Sequence, residues 1–495
     1  MNLWCRLPDG EDVSIPMVWI AEVYTPATFQ GLLNGVKRIE ARTRGFKSNH
    51  DIYSWVTSAR SRRGTYAGDL PSFHPPGYGS PVPWIEDSLP DGVEYITWRI
   101  FAPSPSITIL VAGFALDSSR MREPVAILNS EHSTYVSPYS DSGFSIITPD
   151  NQKRRYVEEW RESVIRDATA WLQSRMPGTF SSLNKGLLPS MELILTANVT
   201  PWSDEANLDG PRRFGADPYT VLDIRRQPHW LQAGGRGLRL NETRHAFGRQ
   251  GLRWHLRLGA KRSEYIGAAA AEESERNQLW RPLHRTDEEL TPLLARWAMN
   301  ALLAEFSRDL AALRDLAMET ASHDSPGALN KLRDKLLQAG LHGQLVADEI
   351  AQSARSDTKE ERHSFDEVPE FVYTYGGGRE PSIEEELVEN LRQARVAMGK
   401  DITQTEGRLR ELLTTSAEIT VAATNLRLQK RVFWLTAISA VVAVAAAIIS
   451  LIALDVARNP PVETPPAGPN VVRLTDPPNP MPGLNGNVSR SPTSP

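Results

Sequence analysis

Residues 92–116, GVEYITWRIFAPSPSITILVAGFAL, contain two runs of β-branched and aromatic residues on either side of a Pro-Ser-Pro break. Each run has the length and composition of a β-strand. We interpret three further stretches as strands in the same way: EPVAILN at 123–129, GFSIITPD at 143–150 and MELILTANV at 191–199. The first half of the chain therefore contains several predicted strands.

A helix is predicted among these strands, at residues 154–178, RRYVEEWRESVIRDATAWLQSRMPG. Its apolar positions recur at helical spacing, and Pro177 and Gly178 end it. The residues predicted to share its apolar face are Tyr156, Trp160, Val164 and Trp171. Strands mixed with a helix predict an α+β or α/β domain over residues 1–280.

The composition sets broad limits on the kind of protein. A chain of 495 residues with 40% hydrophobic residues and 13 tryptophans is long enough for two or three folded units. Its net charge of −5 does not favour nucleic acid as a partner. The single cysteine, Cys5, excludes an intrachain disulfide framework and any zinc site made of several thiolates.

Helical patterns follow the predicted domain. Thr286 and Glu289 have the spacing of a capping box, and apolar residues then recur at helical intervals through two segments. These segments predict a helical hairpin over residues 286–355. Residues 356–381 are charged, then aromatic, then rich in glycine, and they predict a flexible linker. Docking of the linker's aromatic residues on a neighbouring surface is the alternative.

A longer helix is predicted after this linker. Ser382 and Glu385 form a second capping box, and small or apolar residues then recur at intervals of three and four as far as Leu426. This heptad-like seam predicts a coiled-coil-like stalk over residues 382–431. The seam can pair with a second copy of the chain or pack within its own chain, and the sequence leaves both possibilities open.

Residues 432–454 contain no charged residue. As a helix they reach about 35 Å, enough to cross a hydrocarbon core of roughly 30 Å. We therefore predict a transmembrane helix, followed by a Pro-rich disordered tail over residues 455–495. Small residues recur every four positions and predict close packing with a second helix, unless they merely reflect the abundance of alanine: Ser439, Ala443 and Ala447.

The predicted orientation places the N-terminal bulk in the cytoplasm. Export of the residues that precede the span would need a signal peptide, and the N-terminal sequence lacks the apolar core of one. Arg427, Lys430 and Arg431 flank the start of the span, against Arg458 and Arg473 beyond it. This small excess agrees with the same orientation.

Catalytic signatures are missing from the sequence. It contains no dinucleotide-binding turn, phosphate loop, nucleophile elbow or zinc-binding His-Glu-x-x-His run. We therefore predict no catalytic residue and no metal ligand, and the cofactor stays open.

Basic residues far outnumber acidic ones between residues 211 and 262, and tryptophans occur among them. Guanidinium groups suit phosphate and carboxylate because their donors form a rigid fork. The candidates for binding an anion are Arg225, Arg226, Arg236, Arg239, Arg253 and Arg257. The alternative is that these arginines pair with acidic residues of their own chain.

Taken together, these patterns predict a single-pass protein of the cell membrane whose cytoplasmic head binds a ligand or partner. It would be a sensor, scaffold or signalling component that assembles through its stalk, rather than an enzyme. The predicted partners are the lipid bilayer, an anionic ligand and a second copy of the chain.

Two other functions stay open at this stage. One is a membrane-tethered enzyme that acts on a phosphorylated substrate. The other is transport, because the order of head, long helix and span resembles the layout of CorA-type divalent-cation channels. The chain departs from that family in lacking a second span. It also has Ile452, Ala453 and Leu454, followed by Asp455, where the family's first span ends in Gly-Met-Asn.

Overall fold

The computed structural model of the chain describes residues 6–44, 52–60, 65–67, 70–77, 84–139, 143–183, 186–206, 217–232, 237–242, 254–267, 275–321, 343–355, 370–374 and 386–458. Internal contacts divide the chain into two units, residues 1–418 and residues 419–495. The first unit contains a β-sheet and most of the helices. The second contains the apolar helix near the C-terminus.

The strands of the first unit are short, apart from three near the centre of its sheet. They are β1 (Val13–Tyr24), β2 (Thr43–Arg44), β3 (Thr65–Ala67), β4 (Ser72–His74), β5 (Trp84–Glu86), β6 (Val93–Ser104), β7 (Ile107–Leu116), β8 (Tyr135–Tyr139), β9 (Gly143–Ile147), β10 (Ser190–Thr196), β11 (His229–Gln232), β12 (Arg239–Glu242), β13 (His255–Lys261) and β14 (Phe371–Thr374).

The helices vary far more in length than the strands do. They are α1 (Phe29–Glu40), α2 (Ile52–Ala59), α3 (Glu123–Asn129), α4 (Pro149–Arg175), α5 (Thr179–Ser182), α6 (Pro218–Val221), α7 (Arg262–Ile266), α8 (Glu275–Ala321), α9 (343–355) and α10 (Leu387–Arg458).

Twelve of the strands form one mixed sheet in the order β14-β11-β12-β13-β10-β1-β7-β6-β4-β5-β2, with β3 paired to β6 beside this path. Most neighbours are antiparallel, but β10 with β13 and β4 with β5 are parallel. β8 and β9 form a separate two-stranded sheet. The prediction of a mixed α/β N-terminal part with helices later in the chain is therefore confirmed.

The central strand β1 is buried along its whole length, so each of its faces packs on helices. On one face, the Trp19 indole Nε1 donates a hydrogen bond to Oδ1 of Asp287 in α8 at 2.8 Å. The same carboxylate accepts from the Thr97 hydroxyl at 3.1 Å and from Nε of Arg99 at 3.3 Å. Asp287 therefore attaches α8 to two strands of the sheet, β1 and β6.

The other face of β1 holds a second buried carboxylate, Glu22. It accepts hydrogen bonds from the backbone N–H groups of Phe180 and Ser181, at 2.9 and 3.1 Å, and from the Ser181 hydroxyl at 2.6 Å. Burial raises the pKa of Glu22 to about 7, although these donors act in the opposite direction. Glu22 thus joins β1 to α5.

β1 is missing from the predicted strands, because Pro16 interrupts its sequence. A proline has no N–H to donate, so it is normally excluded from a central strand. The pairing of β1 with β10 shifts register between Ser14 and Met17, and the pairing with β7 begins only at Met17. Pro16 therefore occupies an irregularity in which no ladder hydrogen bond is required of it.

The strand predicted for EPVAILN at 123–129 is wrong, because these residues form α3. Pro124 lies in the first turn, where its missing N–H costs nothing, and Glu123 lies near the positive end of the helix dipole. A short apolar run does not distinguish a strand from a buried helix by itself. The strands predicted within 92–116, 143–150 and 191–199 are confirmed.

The helix start predicted at Thr286 is also wrong, since α8 begins at Glu275. Thr286 is fully buried inside that helix, and its hydroxyl lies 2.8 Å from the Tyr265 hydroxyl. The spacing of a capping box therefore coincides here with a tertiary contact. The helix predicted at 154–178 is confirmed as α4, but Tyr156, predicted to lie on its apolar face, is exposed.

The first part of α10 packs inside the first unit. Leu387, Leu391, Ile402 and Leu409 of the predicted seam are buried there. The Asn300 side chain of α8 donates a hydrogen bond to the Leu391 carbonyl at 3.3 Å. The predicted capping box at Ser382 and Glu385 lies outside the described residues. A coiled-coil stalk stays a prediction.

The described part of the second unit is the C-terminal part of α10. Within it, Leu428–Ile448 is long and apolar enough to cross a membrane, with a mean hydropathy of 2.0 and none of the apolar window buried. The prediction of one apolar helix near the C-terminus is confirmed, although the apolar window starts and ends a few residues earlier than the predicted span at 432–454. Of the tail predicted at 455–495, residues 455–458 belong to α10, and the rest lies outside the described residues.

Two glycines of α10 provide a test of its packing on α9. A Cβ at Gly399 would lie 2.6 Å from the Ala351 Cβ and 2.8 Å from the Ala347 carbonyl oxygen, whereas a Cβ at Gly407 would meet nothing within 4 Å. We expect Gly399→Ala to destabilise the protein by about 1–3 kcal/mol through overpacking. Gly407→Ala should stabilise it by about 1 kcal/mol, because alanine favours helix.

Urea unfolding of the full chain in detergent, followed by tryptophan fluorescence, measures both effects. If Gly399→Ala were as stable as the unchanged protein, the close contact between α9 and α10 would be refuted.

Candidate anion-binding site

A pocket of about 410 Å³ opens beside the N-terminal half of α4. Its wall combines Arg154 of α4 and Thr220 of α6 with residues from the segment between α6 and β11. These are Asp223, Arg225, Arg226 and Gln227. The wall therefore carries three arginines and one carboxylate.

A buried network of charges lies beneath this pocket. Glu192 of β10 is almost fully buried, with its Oε1 2.9 Å from Nε of Arg161 and 3.4 Å from Nε of Arg257. Glu192 and Arg257 are partners in the parallel pairing of β10 with β13, so their side chains share one face of the sheet. Arg161 reaches the same point from α4, which covers that face.

Burial and pairing act in opposite directions on the pKa of Glu192. Burial alone would raise it, but Arg161, His255 and Arg257 outweigh burial and lower it to about 2. Burial lowers the pKa of the neighbouring His255, whose Nδ1 lies 2.9 Å from the Ser190 hydroxyl. At neutral pH an ionised Glu192 therefore lies between two guanidinium groups, with a neutral imidazole beside them.

Asp223 connects the network to the pocket, because its carboxylate accepts a hydrogen bond from Arg257 and also lines the wall. Its backbone has φ +59°, in the left-handed region that a non-glycine residue rarely adopts. Trp202 has the same φ of +59°. Its indole N–H donates a hydrogen bond to the Asp223 carbonyl at 2.9 Å, and its backbone N–H donates one to the Ile224 carbonyl at 2.7 Å. These bonds hold Asp223 in its unusual conformation.

The backbone hydrogen bond from Trp202 to Ile224 also fixes the segment that follows, because Ile224 directly precedes the two arginines of the wall. Ile224 is fully buried, whereas Arg225 and Arg226 are exposed. The chain therefore leaves the core at Ile224 and carries both guanidinium groups into solvent at the pocket.

The wall has an excess of positive charge. Arg226 forms an exposed ion pair with Asp204 at 2.8 Å, a kind of pair that contributes little to stability. Arg225 makes no ion pair with any described residue. Burial by itself would raise the pKa of Asp223. Arg257, Arg161 and Arg154 outweigh burial, so the pKa of this carboxyl is lowered. The Thr220 hydroxyl is buried and has no hydrogen-bond partner among the described residues.

The six arginines selected from the sequence have different positions. Arg225 and Arg226 line the pocket, and Arg257 lies beneath it, bound to Asp223, Glu158 and Glu192. Arg239 of β12 is half-buried and donates to the Pro201 carbonyl at 3.3 Å. Arg236 and Arg253 lie outside the described residues. Pairing with acidic residues of the same chain is therefore observed for Arg257 and Arg226, whereas anion binding stays a prediction.

Sequence reasoning missed Arg154 and Thr220. Arg154 lies in the basic run Lys153-Arg154-Arg155 near the start of α4, far along the chain from the basic cluster. Thr220 follows Asp217, which caps α6 by accepting a hydrogen bond from the Thr220 N–H at 2.7 Å. The Asp-Pro pair at 217–218 is a recognisable helix start, and it was the available signal for α6.

The residues predicted for packing in the membrane, Ser439, Ala443 and Ala447, are exposed on the apolar part of α10. They lie on one helix and share one side of it by their spacing of four. Their packing with a second helix stays a prediction.

Comparison with protein-family models, with curated proteins and with solved structures finds no match to this chain. Its function is therefore inferred from the site itself. Among the described residues, no three His, Cys, Asp or Glu side chains come together as a possible metal site.

The buried network predicts an asymmetry between two glutamates. Glu192→Gln removes the fully buried carboxylate between Arg161 and Arg257, which keep Glu158 and Asp223 as partners, and we expect a loss of about 1.5–3 kcal/mol of stability. Glu159→Gln, in an exposed pair with Arg155, should cost less than about 0.5 kcal/mol. Chemical unfolding at pH 7 measures both variants.

The pH dependence gives a second check on Glu192. Its pKa in the folded chain, about 2, is below the ordinary value of 4.5, so its contribution to stability is complete above pH 4.5 and is lost as the pH falls towards 2. The difference between the unchanged protein and Glu192→Gln should therefore shrink over that interval. A difference independent of pH would contradict an ionised Glu192.

Proposed function

We propose that this chain is a single-pass membrane protein whose N-terminal unit binds an anionic ligand, and that it acts as a sensor or scaffold. The observation that carries the proposal is the meeting of Arg154, Arg225 and Arg226 at one pocket. The ligand class is a phosphate- or carboxylate-bearing molecule, since guanidinium groups bind such oxygens with paired donors.

Three features support the anion as the ligand. The carboxylate in the wall, Asp223, is paired with Arg257 and lies near Arg161 and Arg154, which reduces its repulsion of an anion. Thr220 offers a buried hydroxyl with a free hydrogen-bonding capacity. A volume of about 410 Å³ is within the range of about 300–1,000 Å³ that is usual for small-molecule sites.

Binding is favoured over catalysis by the chemistry of the wall. Asp223 is the one carboxylate among the described residues that line the pocket, and its arginine neighbours lower its pKa. A carboxylate held in its ionised form by an arginine is a poor general base. The same residues include no histidine, cysteine or lysine that would act as a nucleophile. An enzyme acting on a phosphorylated substrate is therefore the less favoured alternative.

Membrane attachment is the second part of the proposal. The apolar window Leu428–Ile448 has exposed apolar side chains, which water solvates poorly and lipid solvates well. Lys430 and Arg431 lie at its N-terminal end, and basic residues favour the cytoplasmic side. The N-terminal unit is accordingly assigned to the cytoplasm. The small-residue stripe of the span and the later part of the stalk are the proposed surfaces for self-association.

The anion site is tested with inorganic pyrophosphate as the probe, at constant ionic strength set with chloride. Full-length protein in detergent should bind it by calorimetry, and Arg225→Gln with Arg226→Gln should weaken binding at least about tenfold, because each charged hydrogen bond is worth about 1.5–3 kcal/mol. Arg285→Gln, an exposed arginine paired with Glu289 on α8, is the matched control and should bind normally. Equal binding by the double variant would refute the site.

Membrane attachment is tested by alkaline extraction of membranes. The unchanged protein should stay in the pellet. Val441→Arg with Val444→Arg should release it, because each arginine at the centre of a span costs about 2.5–3.5 kcal/mol on insertion. Val441→Leu with Val444→Leu should stay in the pellet. Recovery of the folded, unchanged protein in the supernatant of a detergent-free lysate would rule out the membrane anchor.

A further inference from the structure

A second cavity, of about 210 Å³, lies in the first unit where α8, α9 and α10 meet the segment around α1 and α5. Apolar side chains form much of its wall, including Phe306, Leu310 and Ile402. The Thr28 and Thr179 hydroxyls, 2.9 Å apart, lie on the side of α1 and α5. The cavity is separate from the anion pocket, and no residue lines both.

The unusual feature of this cavity is Glu406 of α10. Its side chain is almost fully buried, and Oε1 accepts a hydrogen bond from Arg410 at 2.6 Å. Its other oxygen, Oε2, is buried and has no hydrogen-bond partner among the described residues. A buried carboxylate oxygen without a donor loses its hydration without compensation. The protein therefore carries a cost at Glu406 that a bound donor would remove.

The charges in the wall indicate what kind of donor fits. Two of the described lining residues are carboxylates, Asp309 and Glu406, and none is basic. Burial raises the pKa of Glu406, and Arg410 only partly opposes this effect. A positively charged group beside Oε2 would hold Glu406 in its ionised form and satisfy the free oxygen.

The apolar part of the wall limits the rest of the ligand. An apolar cavity of about 150 Å³ is known to hold benzene, so a volume of about 210 Å³ accepts roughly six to nine non-hydrogen atoms. The occupant therefore has one cationic end and a small hydrocarbon body.

We propose that this cavity is a binding site for a small primary amine with an apolar body, whose ammonium group lies against Glu406. The site is additional to the proposed anion pocket and does not depend on it. Because its wall includes residues of α8, α9 and α10, the amine binds the packed form of these helices and stabilises it by mass action.

The test compares two probes of equal size, benzylamine and benzyl alcohol, by calorimetry with the full-length protein in detergent. Benzylamine should bind about tenfold more tightly, because only the ammonium forms a charged hydrogen bond with Glu406. Glu406→Gln should remove that preference. Glu411→Gln, on an exposed position of the same helix, is the matched control and should change neither affinity by more than about twofold.

A second variant covers the case in which Glu406→Gln fails to fold. Gln344→Phe leaves Glu406 in place but fills the cavity from its partly exposed edge, so both probes should lose binding. Three results would overturn the proposal: no binding of benzylamine to the unchanged protein, equal affinity for the two probes, or benzylamine binding that survives both variants.

Discussion

The position of Glu192 between two arginines is the constraint on which the candidate site depends. A carboxylate this deeply buried is tolerated only when its charge is compensated on the spot. Arg161 comes from the helix above the sheet and Arg257 from the neighbouring strand, so the compensation requires α4, β10 and β13 to be correctly placed. The charge pairs therefore specify one arrangement of these elements, in addition to the apolar contacts around them.

The same network prepares the pocket above it. Arg257 binds Asp223 as well as Glu192, so the carboxylate in the pocket wall is held from below. The left-handed backbone at Asp223 is fixed by the Trp202 indole, and the two exposed arginines follow within three residues. A ligand would thus meet guanidinium groups whose backbone is already ordered, which reduces the entropic cost of binding.

Much of the fold could be predicted from local pattern, and the exceptions have physical reasons. The strands within 92–116 and the helix α4 have clear periodicity, and both are present. β1 was missed because Pro16 conflicts with a regular strand, and only the partner strands reveal the irregularity that accepts it. The run at 123–129 was misread because its few apolar residues fit either a strand or a helix.

The site could be predicted only as a region. Composition identified an arginine-rich stretch, but it could not separate Arg225, which has no ion-pair partner among the described residues, from Arg257, which has three carboxylates around it. Two of those carboxylates, Glu158 and Glu192, come from distant positions in the chain. The seam of α10 has the same ambiguity, because its spacing serves packing within the chain as well as between chains.

The place of β14 in the sheet has a consequence for biosynthesis. This strand pairs with β11 at one edge, yet it comes from residues 371–374, long after the other strands. During translation, the backbone groups on that side of β11 have no strand to pair with until residue 374 has left the ribosome. An open strand edge readily pairs with other polypeptides. The nascent protein therefore passes through a period in which this edge of β11 is open to other polypeptides, and that period ends shortly before the apolar helix Leu428–Ile448 is made.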